Sequence, residues 1–92
     1  MADKNLSEVN LLREVLIRLS SVNQVQRFVN ALVPLKGDFE LISGQFVLDA
    51  RSLMGIFGLD LSAPVRLKIY EDTPQNMEAV RPFLAEEGES KV

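Results

Sequence analysis

The stretch "VLDARSLMGIFGLDLS", residues 47–62, decides how this chain is read. It lies between two runs with strand-like alternation. Ser52 stands at its head, followed closely by the apolar residues Leu53, Met54, Ile56 and Phe57. Gly55 and Gly58 keep any helix here short, with Gly58 placed near its C-terminal end. Ile56, on the other side of the turn from Met54 and Phe57, is the residue expected in the core.

Upstream, "DFELISGQFVLDA" at residues 38–50 reads as two short strands joined by a tight turn at Ser43-Gly44. Phe39, Leu41 and Ser43 share one face of the first, and Phe46 and Leu48 flank Val47 in the second. Downstream, "PVRLKIYED" alternates again, with Val65, Leu67 and Ile69 opposed to Arg66, Lys68 and Tyr70.

"LLREVLIRLS" at residues 11–20 has Val15, Ile17 and Leu19 on one face, the pattern of a half-buried strand. In "SSVNQVQRFVNALVPLKG", Val22, Val25, Phe28, Val29, Leu32 and Val33 recur at three- and four-residue steps, an amphipathic helix. Ser21 and Gln24 have capping-box spacing, and Pro34 and Gly37 close the element. "TPQNMEAVRPFLAEEG" starts a last helix with Thr73 as cap and Pro74 in the first helical position. Met77, Val80 and Leu84 form its buried stripe, and Pro82 kinks it or ends it early.

The order β-α-β-β-α-β-α predicts an α+β open-faced sandwich, a four-stranded antiparallel sheet with three helices on one face. With 92 residues the chain makes one domain, with an ordered core expected over about residues 11–87. Residues 1–9 and the "AEEGES" tail read as solvated termini.

The chain has no cysteine and no histidine, and a formal net charge of −3. Disulfides, thiolate nucleophiles, a Ser-His-Asp triad, His-ligated zinc and phosphohistidine are thereby excluded. No pair of carboxylates sits in a setting for general acid/base work, so no enzyme, cofactor or metal is expected. The scattered basic residues do not suggest direct nucleic-acid binding. No apolar run spans a bilayer, and "MADKNLSEVN" lacks a signal-peptide core, so a cytoplasmic protein is expected.

Together the order and the residues resemble the HPr family, the histidine-containing phosphocarriers of the bacterial phosphotransferase system. "LDARSLMGIFGLDL" looks like the family's regulatory-serine segment, an apolar-x-Ala/Leu-Lys-Ser-Ile-Met-Gly-x-Met-Ser-Leu pattern. "VRLKIYED" resembles its fourth strand, and "QRFVNALVPLKGDFELISG" its first helix and second strand. The resemblance covers about residues 13–87.

The family's Gly-Leu-His-Ala-Arg-Pro active site is missing. The corresponding place reads "LSSVNQVQ", and the histidine falls near Ser21. Phosphoryl relay through imidazole is therefore not expected, as in the histidine-lacking relative Crh. What the resemblance retains is the second site. In many Gram-positive members a bifunctional HPr kinase/phosphorylase modifies the regulatory serine. The product then binds a transcription regulator, catabolite control protein A.

Ser52 matches that serine. The resemblance makes Arg51, Leu53, Met54 and Phe57 the partner-binding residues around it. Each has a plainer reading. Ser52 is a helix cap, contributing about 1 kcal/mol; Arg51 is a solvated charge; Leu53, Met54 and Phe57 face the core. A diverged HPr-fold adaptor or homo-oligomer without phosphorylation is the second functional expectation.

Overall fold

The computed structural model describes residues 12–85. They form β1 (Arg13–Ile17), α1 (Val22–Leu32), β2 (Phe39–Ser43), β3 (Phe46–Asp49), α2 (Leu53–Phe57), β4 (Val65–Ile69) and α3 (Pro74–Val80). A 3-10 turn, Arg81–Phe83, follows α3 without a break. The expected boundaries at residues 11 and 87, and the "EEGES" portion of the tail, lie outside the described residues.

The four strands form one antiparallel sheet in the order β1-β4-β2-β3. The fold is thus the α+β open-faced sandwich, consistent with the HPr type. β1 and β2 both run antiparallel to β4, so they are parallel to each other with β4 inserted between them. β3 and β4 are likewise parallel with β2 between them. Two split β-α-β units are interleaved, and their crossovers carry α1 and α2.

The period-2 pattern fixes which side of the sheet is covered. Ile17, Leu41, Leu67 and Ile69 are fully buried beneath the helices. Val25, Phe28, Val29 and Leu32 supply the buried stripe of α1. The rings of Phe28 and Phe83 meet edge to face, with centroids 5.3 Å apart. Val22 and Val33 recur at the same steps but fall at the margin of the Val25–Leu32 stripe, and both are exposed.

α1 starts as its sequence requires. Ser21 Oγ accepts the Gln24 N–H at 3.1 Å. The reciprocal half of the box differs: Gln24 Oε1 accepts from Ser20, through its N–H at 2.8 Å and its Oγ at 2.9 Å.

The hairpin loop is Gly44-Gln45, one residue beyond the expected turn, with Ser43 and Phe46 paired across it. Gly44 has φ of +61° and no other residue has positive φ in the loop, as a Gly-first two-residue turn requires. Pro82 ends α3 at Val80 and falls in the 3-10 turn. Asn76 is buried in α3 and donates through Nδ2 to the Lys36 and Glu71 carbonyls.

Candidate functional site

α2 is held by the turn before it. Asp49 Oδ1 accepts the Arg51 N–H at 2.8 Å, and the Asp49 carbonyl accepts the Ser52 N–H at 2.9 Å. The Ser52 carbonyl then accepts from Ile56, closing the helical turn. Ser52 thus occupies the N-cap position, but its side chain makes no capping hydrogen bond. Its ψ is 91°, against 160° at Ser21 and 157° at Thr73, both of which do cap. The hydroxyl lies over Gly55, where a Cβ would stand 2.8 Å from it. The simple capping reading of Ser52 therefore does not describe this serine.

The apolar residues of α2 divide by face. Ile56 is fully buried, as expected. Leu53 is half-buried against the core and beside Gln26, Val29 and Asn30 of α1. Met54 is 77% exposed and Phe57 40% exposed, so a turn apart they present apolar surface outward. Phe57 also forms one wall of a groove of about 410 Å³ with Ser21, Val22, Val25 and Leu61. Ser21 at the head of α1 and Phe57 at the far end of α2 therefore border one groove. Ser52 does not line it.

Arg51 is placed differently from the other candidates. Its Nε donates to the Leu32 carbonyl at 3.0 Å, and its Nη2 to the Leu35 and Gly37 carbonyls at 2.8 and 3.0 Å. Its guanidinium lies over the Phe39 ring, 5.0 Å from the centroid. The side chain is thus neither a solvated charge nor a group extended toward a partner. It ties down the end of α1 and the loop after it: the Leu32 carbonyl also accepts the Leu35 N–H, while the Leu35 and Gly37 carbonyls lie beyond the helix. No local signal marks this role, because its acceptors lie 14 to 19 residues away in sequence.

Near the groove, Asp60 accepts the Ser62 Oγ–H at 2.7 Å and the Ser62 N–H at 3.1 Å. These bonds, the side-chain one foremost, hold its carboxyl below the usual carboxylate value. Among the described residues no three His, Cys, Asp or Glu side chains gather as a metal site. Among the same residues no helix is long and apolar enough to cross a membrane. The arrangement places a hydroxyl without a hydrogen bond beside an exposed apolar surface.

Compared with known proteins, the chain matches no family model, no curated protein and no solved structure.

Proposed function

We propose that this is an HPr-like regulatory protein of the phosphotransferase system and carbon catabolite control. On this reading it has no phosphohistidine carrier activity and is switched by phosphorylation of Ser52. The supporting observation is the Ser52 hydroxyl itself: exposed, without a hydrogen bond, and two residues from Met54. A hydroxyl without an intramolecular bond loses no contact on becoming a phosphate ester. The phosphate adds about −1.5 to −2 charges beside apolar surface, enough to change which partner that surface accepts. An HPr kinase/phosphorylase would supply the phosphoryl group from ATP. A catabolite-control transcription regulator would read the product over Leu53, Met54 and Phe57, and the protein itself would not touch nucleic acid. Arg51 would act from behind, by fixing the start of α2.

The test is intact-mass and fragment-ion analysis after incubation with ATP and an HPr kinase/phosphorylase, with a true HPr in parallel. One phosphoryl group on Ser52 is the expected result. An unmodified Ser52 beside a modified control sinks the proposal.

A second reading, a constitutive HPr-fold adaptor or homo-oligomer, draws on a different observation: Val22, Met54 and Phe57 are exposed without any modification. Ser52→Ala abolishes regulator binding under the first reading and spares binding under the second. Phe57→Asp breaks the complex under the second.

A further inference from the structure

The two edges of the sheet are finished differently. The outer side of β1 is partly covered: Ile17 bridges Leu84, the Arg18 N–H donates to the Phe83 carbonyl, and the Ala85 N–H donates to the Leu16 carbonyl. β3 forms the opposite edge, and no described strand pairs with its outer side. The phase of its ladder follows from one bond. The Ala50 N–H donates to the Phe39 carbonyl at 2.9 Å, so in the alternating antiparallel pattern Leu48 and Phe46 bond inward to β2. The Val47 N–H and carbonyl and the Asp49 N–H therefore point outward. The Asp49 carbonyl is already taken by Ser52.

This edge is four residues long and carries no lysine, proline or bulge; its one charge is Asp49 at the end. Instead it exposes Phe46 by 68% and Val47 by 58%, on opposite faces of the sheet. At one end lies an open cleft of about 390 Å³ lined by Asp38, Glu40, Asp49, Val47 and Tyr70. Lys68 stands opposite Glu40 in the sheet register, but its ammonium lies over the Tyr70 ring, 5.8 Å from the centroid, and Glu40 accepts the Tyr70 hydroxyl. At the other end, Phe46 borders a larger hollow of about 640 Å³ with Ile42, Leu59 and Pro64.

We infer that the outer edge of β3 is a docking edge for an extended, basic-apolar segment of a partner polypeptide, which adds to the sheet as a fifth strand. Its backbone pairs with Val47 and the Asp49 N–H. A lysine or arginine lies opposite Asp49 at the acidic end, an apolar side chain opposite Val47, and another opposite Phe46 toward the hollow. The outward backbone groups call for a strand, the carboxylates for a cation, and the exposed Phe46 and Val47 for apolar neighbours. The site is separate from Ser52 and does not depend on its modification.

The probe is the peptide acetyl-Ser-Lys-Thr-Val-Ile-Thr-amide, titrated into the full ¹⁵N-labelled chain. In antiparallel pairing its lysine meets Asp49, its valine Val47 and its isoleucine Phe46. The expected result is saturable shifts and slowed exchange at the Val47 and Asp49 amides. Exchanging the peptide lysine for glutamate weakens binding at least about fivefold, and exchanging its valine for proline abolishes it. Asp49→Asn keeps the acceptor for the Arg51 N–H and shrinks the lysine-to-glutamate discrimination. No shift at millimolar peptide overturns the inference. So do shifts confined to the β1 edge or to Met54 and Phe57, or equal affinity for both peptides. A concentration-dependent dimer that protects the same amides without peptide also overturns it, assigning the edge to a second copy.

Discussion

The guanidinium of Arg51 donates to the carbonyl of Leu32 at 3.0 Å, tying the residue before Ser52 to the last turn of α1. Two further bonds, to Leu35 and Gly37, make Arg51 a clasp between the turn that leads into α2 and the loop that follows α1. A charged donor shared among three carbonyls is costly to remove, since all three lose a partner. Arg51→Ala should therefore cost about 2–3 kcal/mol in urea denaturation followed by circular dichroism. Arg51→Lys should recover less than half of that, because a single ammonium cannot span the fork. A loss below about 0.5 kcal/mol would reduce Arg51 to an ordinary surface residue.

Ser21 and Ser52 occupy the same position on their helices but do different things. Ser21→Ala removes a capping bond and should cost about 1 kcal/mol. Ser52→Ala removes none and should stay within about 0.5 kcal/mol. Parallel denaturation of the two variants checks this. Equal costs would mean that Ser52 caps its helix in solution.

Gly55 is the residue over which the Ser52 hydroxyl sits. A methyl there would lie 2.8 Å from that hydroxyl and 3.0 Å from Leu48 Cδ1. An alanine in a helix interior ordinarily gains about 0.5–1 kcal/mol over glycine. Here Gly55→Ala should instead lose about 1 kcal/mol from crowding. Adding Ser52→Ala should return part of the loss, and a double-mutant cycle measures that coupling. A stabilising Gly55→Ala would contradict the close approach.

Tyr70 donates its hydroxyl to Glu40 Oε1 at 2.8 Å, and this bond, foremost, raises its pKa above the usual phenol value. Burial and the charges of Glu40 and Asp38 push the same way. The chain has a single tyrosine, so near-ultraviolet phenolate absorbance reads this group alone. It should titrate above the ordinary phenol value, and Glu40→Gln should bring it back toward that value. Because the folded value is raised, the associated stability is present below the unfolded phenol's pKa and is lost as pH rises through the folded one. Tyr70→Phe should flatten that alkaline decline. An unchanged titration in Glu40→Gln would remove Glu40 as the cause.

How much of this was legible in the sequence depends on the range of each interaction. The strands, the caps at Ser21 and Thr73, and the burial of Ile56 follow from local periodicity and capping chemistry. The break at Pro82 follows from its missing N–H. Arg51 was legible only as a charge beside a serine, because its acceptors come from a loop that only the tertiary fold brings close. Ser52 looked like Ser21 in sequence, but the backbone angle that separates a working cap from an idle hydroxyl is set by Asp49 and the turn before it. Val22 and Val33 kept the three- and four-residue steps but lie at the margin of the buried stripe, and the steps alone do not say how wide that stripe is. The phase of the β3 edge likewise needed a ladder bond to fix it.

The position of β4 within the interleaved sheet has a consequence for the order in which the chain folds. β4 is the last strand in sequence yet lies between β1 and β2. Until it is available, β1 has no strand to join, and only the β2–β3 hairpin can form from neighbouring sequence. An isolated hairpin is marginal in water. A nascent chain should therefore stay open to protease until residues 65–69 leave the ribosome, then close in one step around β4. Arrest peptides placed along the coding sequence would register that closure as a single peak of pulling force, and an earlier peak would point to a stable assembly without β4.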